Sequence, residues 1–223
     1  MASPVRVKIC GLNTPAAAQA VLKAGADFGG LVFFEKSPRH VGLVEARTLA
    51  DLLRGKVRIV TLLVDPTDDA VDQAVAAVAP DLIQLHGNET PARTAEIAAR
   101  SKRPIIKAFA VEHTADVARA HFFADVAEYF LFDAKADITA TRPGGLGAAF
   151  DWKLVSGASF ARPWGVAGGL TPENVARAIA IAKPAFVDAS SGVEDVPGKK
   201  SAEKIAAFVS AARNAPYTDV TGA

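Results

Sequence analysis

Short runs of apolar and β-branched residues recur along the chain at positions 5–10, 28–34, 57–64, 81–86, 104–109, 128–133, 163–167 and 185–190. Each run is apolar through its middle and does not alternate, the pattern of strands buried on both faces of a parallel sheet. Between them the chain turns alanine-rich, with apolar positions at helical spacing. Thr14-Pro15 opens one such stretch and Gly25 closes it. Thr67-Asp68-Asp69 precedes a stripe of Val71, Val75 and Val78. Thr171-Pro172-Glu173-Asn174 reads as helix cap, first-turn proline and third helical position ahead of Val175, Ala178 and Ile179. Ser201 stands in the same relation to Ile205, Phe208 and Val209. Further helices are expected near 43–53, 90–100, 114–123 and 150–156.

Eight strand–helix units of about 25 residues predict an α/β protein, a single closed (β/α)8 barrel of the TIM type. A doubly wound open sheet also alternates strand and helix; eight units without an evident second domain favour closure. The barrel is expected to occupy residues 1–214. Positions 215–223 lack periodicity and are expected to form a disordered tail. The unit after the sixth strand carries about ten extra residues within Asp137-Phe150, a stretch that includes Gly144-Gly145-Leu146-Gly147. A glycine-rich loop of that length reads as a binding loop.

Composition narrows the function classes. Lys plus Arg is 25 against 24 Asp plus Glu, a net charge of +1, so no broad basic field exists for nucleic acid. Cysteine occurs once, at Cys10, which excludes an internal disulfide and a multi-cysteine metal site. No apolar run approaches the roughly 20 residues that span a bilayer. The first residues lack the pattern of a secretory signal, so a cytoplasmic location without membrane attachment is expected.

In such a barrel the chemistry sits at the C-terminal ends of the strands. The residues there are Lys8 and Cys10, Ser37 and Arg39, Asp65, His86, Lys107, Asp133 and Lys135, Gly168 and Gly169, then Asp188, Ser190 and Ser191. Gly168-Gly169 before a helix start and Ser190-Ser191-Gly192 after the last strand fall where such barrels bind phosphate; two tight turns are the bland alternative. Cys10 is either an inert core residue or, at a strand end before Gly11, a thiol open to the mouth whose thiolate can act as a base. Asp133 either caps a loop or serves as an acid across the barrel from Cys10. Arg39, on a loop stiffened by Pro38, suits a carboxylate, with an exposed loop arginine as the bland alternative. His86 has no second histidine at metal spacing and reads as a pocket or structural residue. Asp65, Lys107 and Lys135 receive no role.

These segments occur in a recognisable order: Val7-Lys8-Ile9-Cys10-Gly11, Ser37-Pro38-Arg39, Gln84-Leu85-His86-Gly87, Phe132-Asp133, Gly144-Gly145-Leu146-Gly147 with Phe150-Asp151-Trp152, and Ala167-Gly168-Gly169-Leu170-Thr171-Pro172-Glu173-Asn174-Val175. Asp188-Ala189-Ser190-Ser191-Gly192-Val193-Glu194 closes the series with Pro197-Gly198-Lys199-Lys200. Over about residues 5–210 the set resembles the phosphoribosylanthranilate isomerase family of tryptophan biosynthesis. His40 stands where that family usually has an aromatic residue, and Ala189 where valine is usual.

The resemblance implies an Amadori rearrangement with Asp133 as general acid and Cys10 as general base. It also implies that Arg39 holds the anthranilate carboxylate, and that Asp188 lies near the ribose hydroxyls or the anthranilate nitrogen. The phosphate would rest around Gly168, Gly169, Ser190, Ser191 and Gly192, with Gly145 and Gly147 closing over it. No metal, nucleotide or redox cofactor is implied. The expected partner is a phosphorylated small molecule; monomer and homodimer both stay open. A ribulose-phosphate 3-epimerase would need paired carboxylates and metal-binding histidines. An indole-glycerol-phosphate synthase would need catalytic lysines and a glutamate at strand ends. A non-catalytic phosphate-binding barrel would have discarded the acid and base.

Overall fold

The computed structural model describes residues 5–134 and 151–216. Eight strands form a closed ring: β1 (Arg6–Cys10), β2 (Phe28–Phe33), β3 (Arg58–Leu63), β4 (Leu82–Leu85), β5 (Ile105–Val111), β6 (Tyr129–Ala134), β7 (Trp164–Val166) and β8 (Phe186–Ala189). All neighbouring pairs are parallel, and β8 returns to β1 with Lys8 opposite Asp188. Each strand lies within two residues of its apolar run. The sheet closes, so the open doubly wound alternative does not hold.

Helices α1 (Pro15–Ala24), α2 (Leu43–Leu53), α3 (Asp68–Val78), α4 (Pro91–Ser101), α5 (Thr114–Ala118), α6 (Val175–Ala182) and α7 (Ala202–Arg213) belong to the outer layer. The Thr14, Thr67, Thr90 and Ser201 hydroxyls accept hydrogen bonds from backbone N–H groups three residues on, satisfying first-turn donors of α1, α3, α4 and α7. A short hairpin, β9 (Glu194–Val196) and β10 (Lys199–Lys200), follows β8.

Three helix expectations differ from the structure. Thr171 does not cap α6. The Asn174 side chain accepts from the Thr171 N–H at 2.8 Å and donates to the Gly169 carbonyl at 2.8 Å, so 171–174 form a turn and the helix starts at Val175. Around 150–156 the described part forms a single 3-10 turn, Trp152–Leu154; only Trp152 and Val155 are buried there, too short a stripe to hold a longer helix. Beyond α5 the winding tightens to a 3-10 helix, Arg119–Phe123, which aligns Ala120 and Phe123 on the buried side.

Two apolar layers set which side chains can reach the mouth. Phe28, Val60, Leu82, Ile106, Leu131 and Phe186 fill the barrel interior. Val7, Ile9, Leu31, Ile59, Phe130 and Val187 pack outward against helix residues such as Val21, Leu49, Ile179 and Phe208. The twofold alternation of a strand therefore sends Lys8, Cys10, Gln84, Asp133 and Asp188 inward. Lys107, between inward Ile106 and Ala108, goes the other way.

Candidate active site

At the C-terminal end of the barrel, Cys10, Arg39, His86, Asp133, Asp188 and Ser190 line one pocket, together with Gly168, Gly169 and Ser191. It encloses about 740 Å³ including its open mouth. Val32, Phe34, Leu62 and Val64 give it an apolar wall next to Cys10.

Cys10 ends β1, and its Cα partner on β2 is Gly30. A Cβ at Gly30 would lie 2.9 Å from the Cys10 Sγ, so the bare glycine provides the space for the thiol. Lys8, completely buried one inward position below, donates to Asp188 Oδ2 at 2.8 Å. Burial works against the Lys8 charge, but Asp188 and Cys10 more than offset this and raise its pKa. Burial pushes the Cys10 thiol up, with Asp188 adding to the rise and Lys8 and Lys200 opposing it. The barrel interior withholds water from the thiol's anion. Burial likewise raises the Asp188 carboxyl, and Lys8 draws it back.

Asp133, near the end of β6, is 6% exposed. Its Oδ2 lies 3.2 Å from His86 Nε2, while His86 Nδ1 lies 2.9 Å from Gln84 Nε2. The consistent assignment has Gln84 donating to Nδ1 and the Nε2–H donating to Asp133. Among the described residues, Asp133 Oδ1 and Asp188 Oδ1 are both buried without a hydrogen-bond partner, two acceptors at the pocket lining. Gly168, at φ 81°, passes so close that a Cβ would come within 2.7 Å of Asp133 Oδ1.

Arg39 is 6% exposed, and Glu194 grips it in a bidentate pair: Nε donates to Oε1 at 2.7 Å and Nη2 to Oε2 at 2.8 Å. Lys200 Nζ also donates to Glu194 Oε1 at 2.7 Å, and to the Ser190 carbonyl and hydroxyl at 3.0 and 3.2 Å. Ser190 Oγ in turn donates to the Cys10 carbonyl at 3.1 Å. Burial opposes the Glu194 charge, but Arg39 and Lys200 outweigh it and hold the carboxyl below its ordinary range. Burial lowers the Lys200 ammonium against the pull of Glu194.

Of the expected site residues, Gly192 sits beside the lining, against the Leu170 carbonyl. Gly145, Gly147 and Lys135 lie outside the described residues. His40 bridges Val32 and is absent from the pocket lining among the described residues. Asp65 accepts from the Asn88 N–H and shapes the turn after β3. Lys107 donates to Glu89 at 2.9 Å and to the carbonyls of Gly87 and Ala108, a buried tie between neighbouring units. The sequence reading missed Glu194, Lys200, Glu89 and the role of Lys8. An isolated charge within an otherwise apolar run, as in Val7-Lys8-Ile9, was the available signal, because a buried charge requires a partner.

A thiol, a carboxyl beside a histidine and an aspartate paired with a lysine gather at the mouth of a parallel barrel, an arrangement of groups able to exchange protons with a small molecule. Residues 7–211 match the family described as N-(5'phosphoribosyl)anthranilate (PRA) isomerase. The N-(5'-phosphoribosyl)anthranilate isomerase of Rhodopseudomonas palustris (strain BisA53) is 50% identical over 210 residues, covering 94% of this chain and 96% of that protein. That of Caulobacter vibrioides is 47% identical, covering 93% and 95%. Among solved structures, the phosphoribosyl anthranilate isomerase of Thermotoga maritima superimposes with a TM-score of 0.84 at 35% identity, covering 93% of this chain and 98% of that one. A second isomerase, solved with reduced 1-(o-carboxyphenylamino)-1-deoxyribulose 5-phosphate, gives 0.79 at 32% identity, covering 93% and 98%. The chain belongs to the N-(5'-phosphoribosyl)anthranilate isomerase family, and it is an intramolecular oxidoreductase of tryptophan biosynthesis.

Proposed function

We propose that the chain rearranges N-(5'-phosphoribosyl)anthranilate to 1-(2-carboxyphenylamino)-1-deoxyribulose 5-phosphate, with Asp133 as the acid and Cys10 as the base. Asp133 gives its proton to the furanose ring oxygen as the C1'–O bond breaks, and the nitrogen lone pair forms an iminium. The Cys10 thiolate then takes the C2' proton, and the electron pair neutralises the iminium to an enolamine. Proton movement from the C2' hydroxyl to C1' gives the ketone. C1' is reduced and C2' oxidised within one molecule, so the balance needs no external electron carrier.

The observation that carries this reading is that Cys10 and Asp133, from strands on different sides of the ring, line a single pocket. Arg39 beside Val32, Phe34 and Val64 suits an aromatic carboxylate, with the apolar wall for the ring and the guanidinium for the acid group. Gly168, Gly169, Ser190, Ser191 and Gly192, after β7 and β8, suit the phosphate. Asp188 would face the ribose hydroxyls or the anthranilate nitrogen. In this reading His86, donating to Oδ2, leaves Oδ1 of Asp133 to carry the acid proton.

Following the decay of substrate fluorescence tests the assignment. Asp133→Asn should lower kcat by at least ~100-fold, the low end for an acid catalyst. Cys10→Ala should lower kcat while substrate still binds. Wild-type kcat in either variant removes that residue from the chemistry.

A further inference from the structure

Giving Cys10 the base role leaves its ionisation to be explained, since burial works against its anion. The charged groups around it are few. Lys8, two residues earlier on β1, enters the barrel on the same face as Cys10, with its ammonium wholly buried and 2.8 Å from Asp188 Oδ2. Asp188 comes from β8 and, among the described residues, leaves Oδ1 buried without a partner. Lys200 on β10 stands behind Ser190 and adds a second positive charge. Asp133 acts on Asp188 from β6 and His86 from the turn after β4, and Arg39 faces the same pocket from the loop after β2. The β2 neighbours, Gly30 and Val32, carry no charge.

As a stabilising device alone, a buried Lys–Asp pair is a poor choice, because apolar residues of similar volume do as well or better. This ammonium, however, enters the barrel on the same inward face as the thiol, two residues below it on β1. We propose that Lys8 is a positioning residue for the reaction: its ammonium keeps the Cys10 thiolate populated, and the Asp188 carboxylate bound to that ammonium limits how far. This inference rests on the reading of Cys10 as the base. Its signature is two displacements of opposite sign. Removing the Lys8 charge strips the thiolate of its counter-ion, whereas removing the Asp188 charge relieves repulsion and frees Lys8 for sulfur. A merely structural contact would not produce opposite signs.

Cys10 is the sole cysteine, so alkylation of the full chain by iodoacetamide reports on this thiol without background. In Lys8→Met the midpoint of alkylation rate against pH should move up by about one unit or more, a tenfold loss of thiolate at a given pH. In Asp188→Asn it should move down, and Lys8→Arg should stay near wild type. The wild-type rise of kcat/KM with pH should follow the alkylation midpoint, and in Lys8→Arg the two should move together. If Lys8→Met does not fold, the Asp188→Asn and Lys8→Arg midpoints carry the test. Midpoints that stay in place, or that move the same way in Lys8→Met and Asp188→Asn, overturn the inference and leave the base assignment standing. Full activity in Cys10→Ala instead removes the base assignment, and the role of Lys8 in the reaction with it.

Discussion

Glu194→Gln preserves the shape of the side chain and removes the carboxylate that Arg39 and Lys200 share. Three charge-assisted hydrogen bonds converge on it, from Arg39 Nε and Nη2 at 2.7 and 2.8 Å and from Lys200 Nζ at 2.7 Å. A glutamine amide accepts at one end only, so its NH2 must face a cationic donor, and two buried positive groups lose their shared anion. Breaking a buried pair costs about 3–5 kcal/mol. Glutamine keeps part of the hydrogen bonding, which puts the expected loss near 3 kcal/mol. For a chain of this size that corresponds to a Tm lower by about 6–12 °C. An Arg39 fork that is no longer held should lose about one charge-assisted hydrogen bond to substrate, or ~1.5 kcal/mol, raising KM roughly tenfold with a smaller change in kcat. The pH dependence has a definite sign. The folded state holds the Glu194 carboxyl below its ordinary 4.5, so its stabilisation is complete above that pH and fades as pH falls through the folded value. Thermal melts should therefore show a wide gap between wild type and variant at neutral pH, closing as the pH falls below 4.5 and through the folded value. A Tm within 2 °C of wild type at neutral pH and an unchanged KM would refute the reasoning.

Two further substitutions probe the packing around the site. Gly30→Ala places a Cβ 2.9 Å from Sγ of Cys10, so steady-state kinetics should show kcat reduced at least tenfold for a stability loss of only about 1–3 kcal/mol in denaturant titration; unchanged kcat would mean that the thiol position is not critical. Lys107→Met leaves Glu89 buried without its cation and should lower stability by about 3–5 kcal/mol, with kcat of the folded enzyme retained. Adding Glu89→Gln should recover part of that loss, and a double variant less stable than the single one would contradict the pairing.

The barrel was legible because strands buried on both faces are written as continuous apolar runs, and eight such runs at regular spacing leave few other architectures. That same continuity hid which face was which. An alternating strand announces its inward side, but Val7-Lys8-Ile9 and Ile106-Lys107-Ala108 look equivalent in sequence, although Lys8 points into the barrel and Lys107 away from it. Glycine loops, Cys10 and Asp133 were visible as residue types at strand ends. Their partners were not, since Arg39 and Glu194 are 155 residues apart and Lys8 and Asp188 are 180 apart, and no local pattern connects them. The start of α6 was misplaced because Asn174, which satisfies the Thr171 N–H through its side chain, has the composition of a first helical turn without its geometry.

The ion pair between β1 and β8 has a consequence for assembly of the ring. These strands meet across nearly the whole described chain, so their pairing is the closure with the longest intervening segment. Val7, Ile9 and Val187 would find acceptable apolar neighbours in more than one register, because hydrophobic contact is non-directional. The two charges are less tolerant. A slip of one residue on either strand turns its charged side chain toward the helix layer and leaves the other sealed in the barrel without a counter-ion, an error of several kcal/mol. A pair that adds little net stability thus acts as a register check at the seam. Since its lysine lies two residues before the thiol on the same strand, a barrel closed out of register is disfavoured and also moves the thiol out of the pocket lining, and a correctly closed one arrives with Cys10, Asp133 and Asp188 lining one pocket.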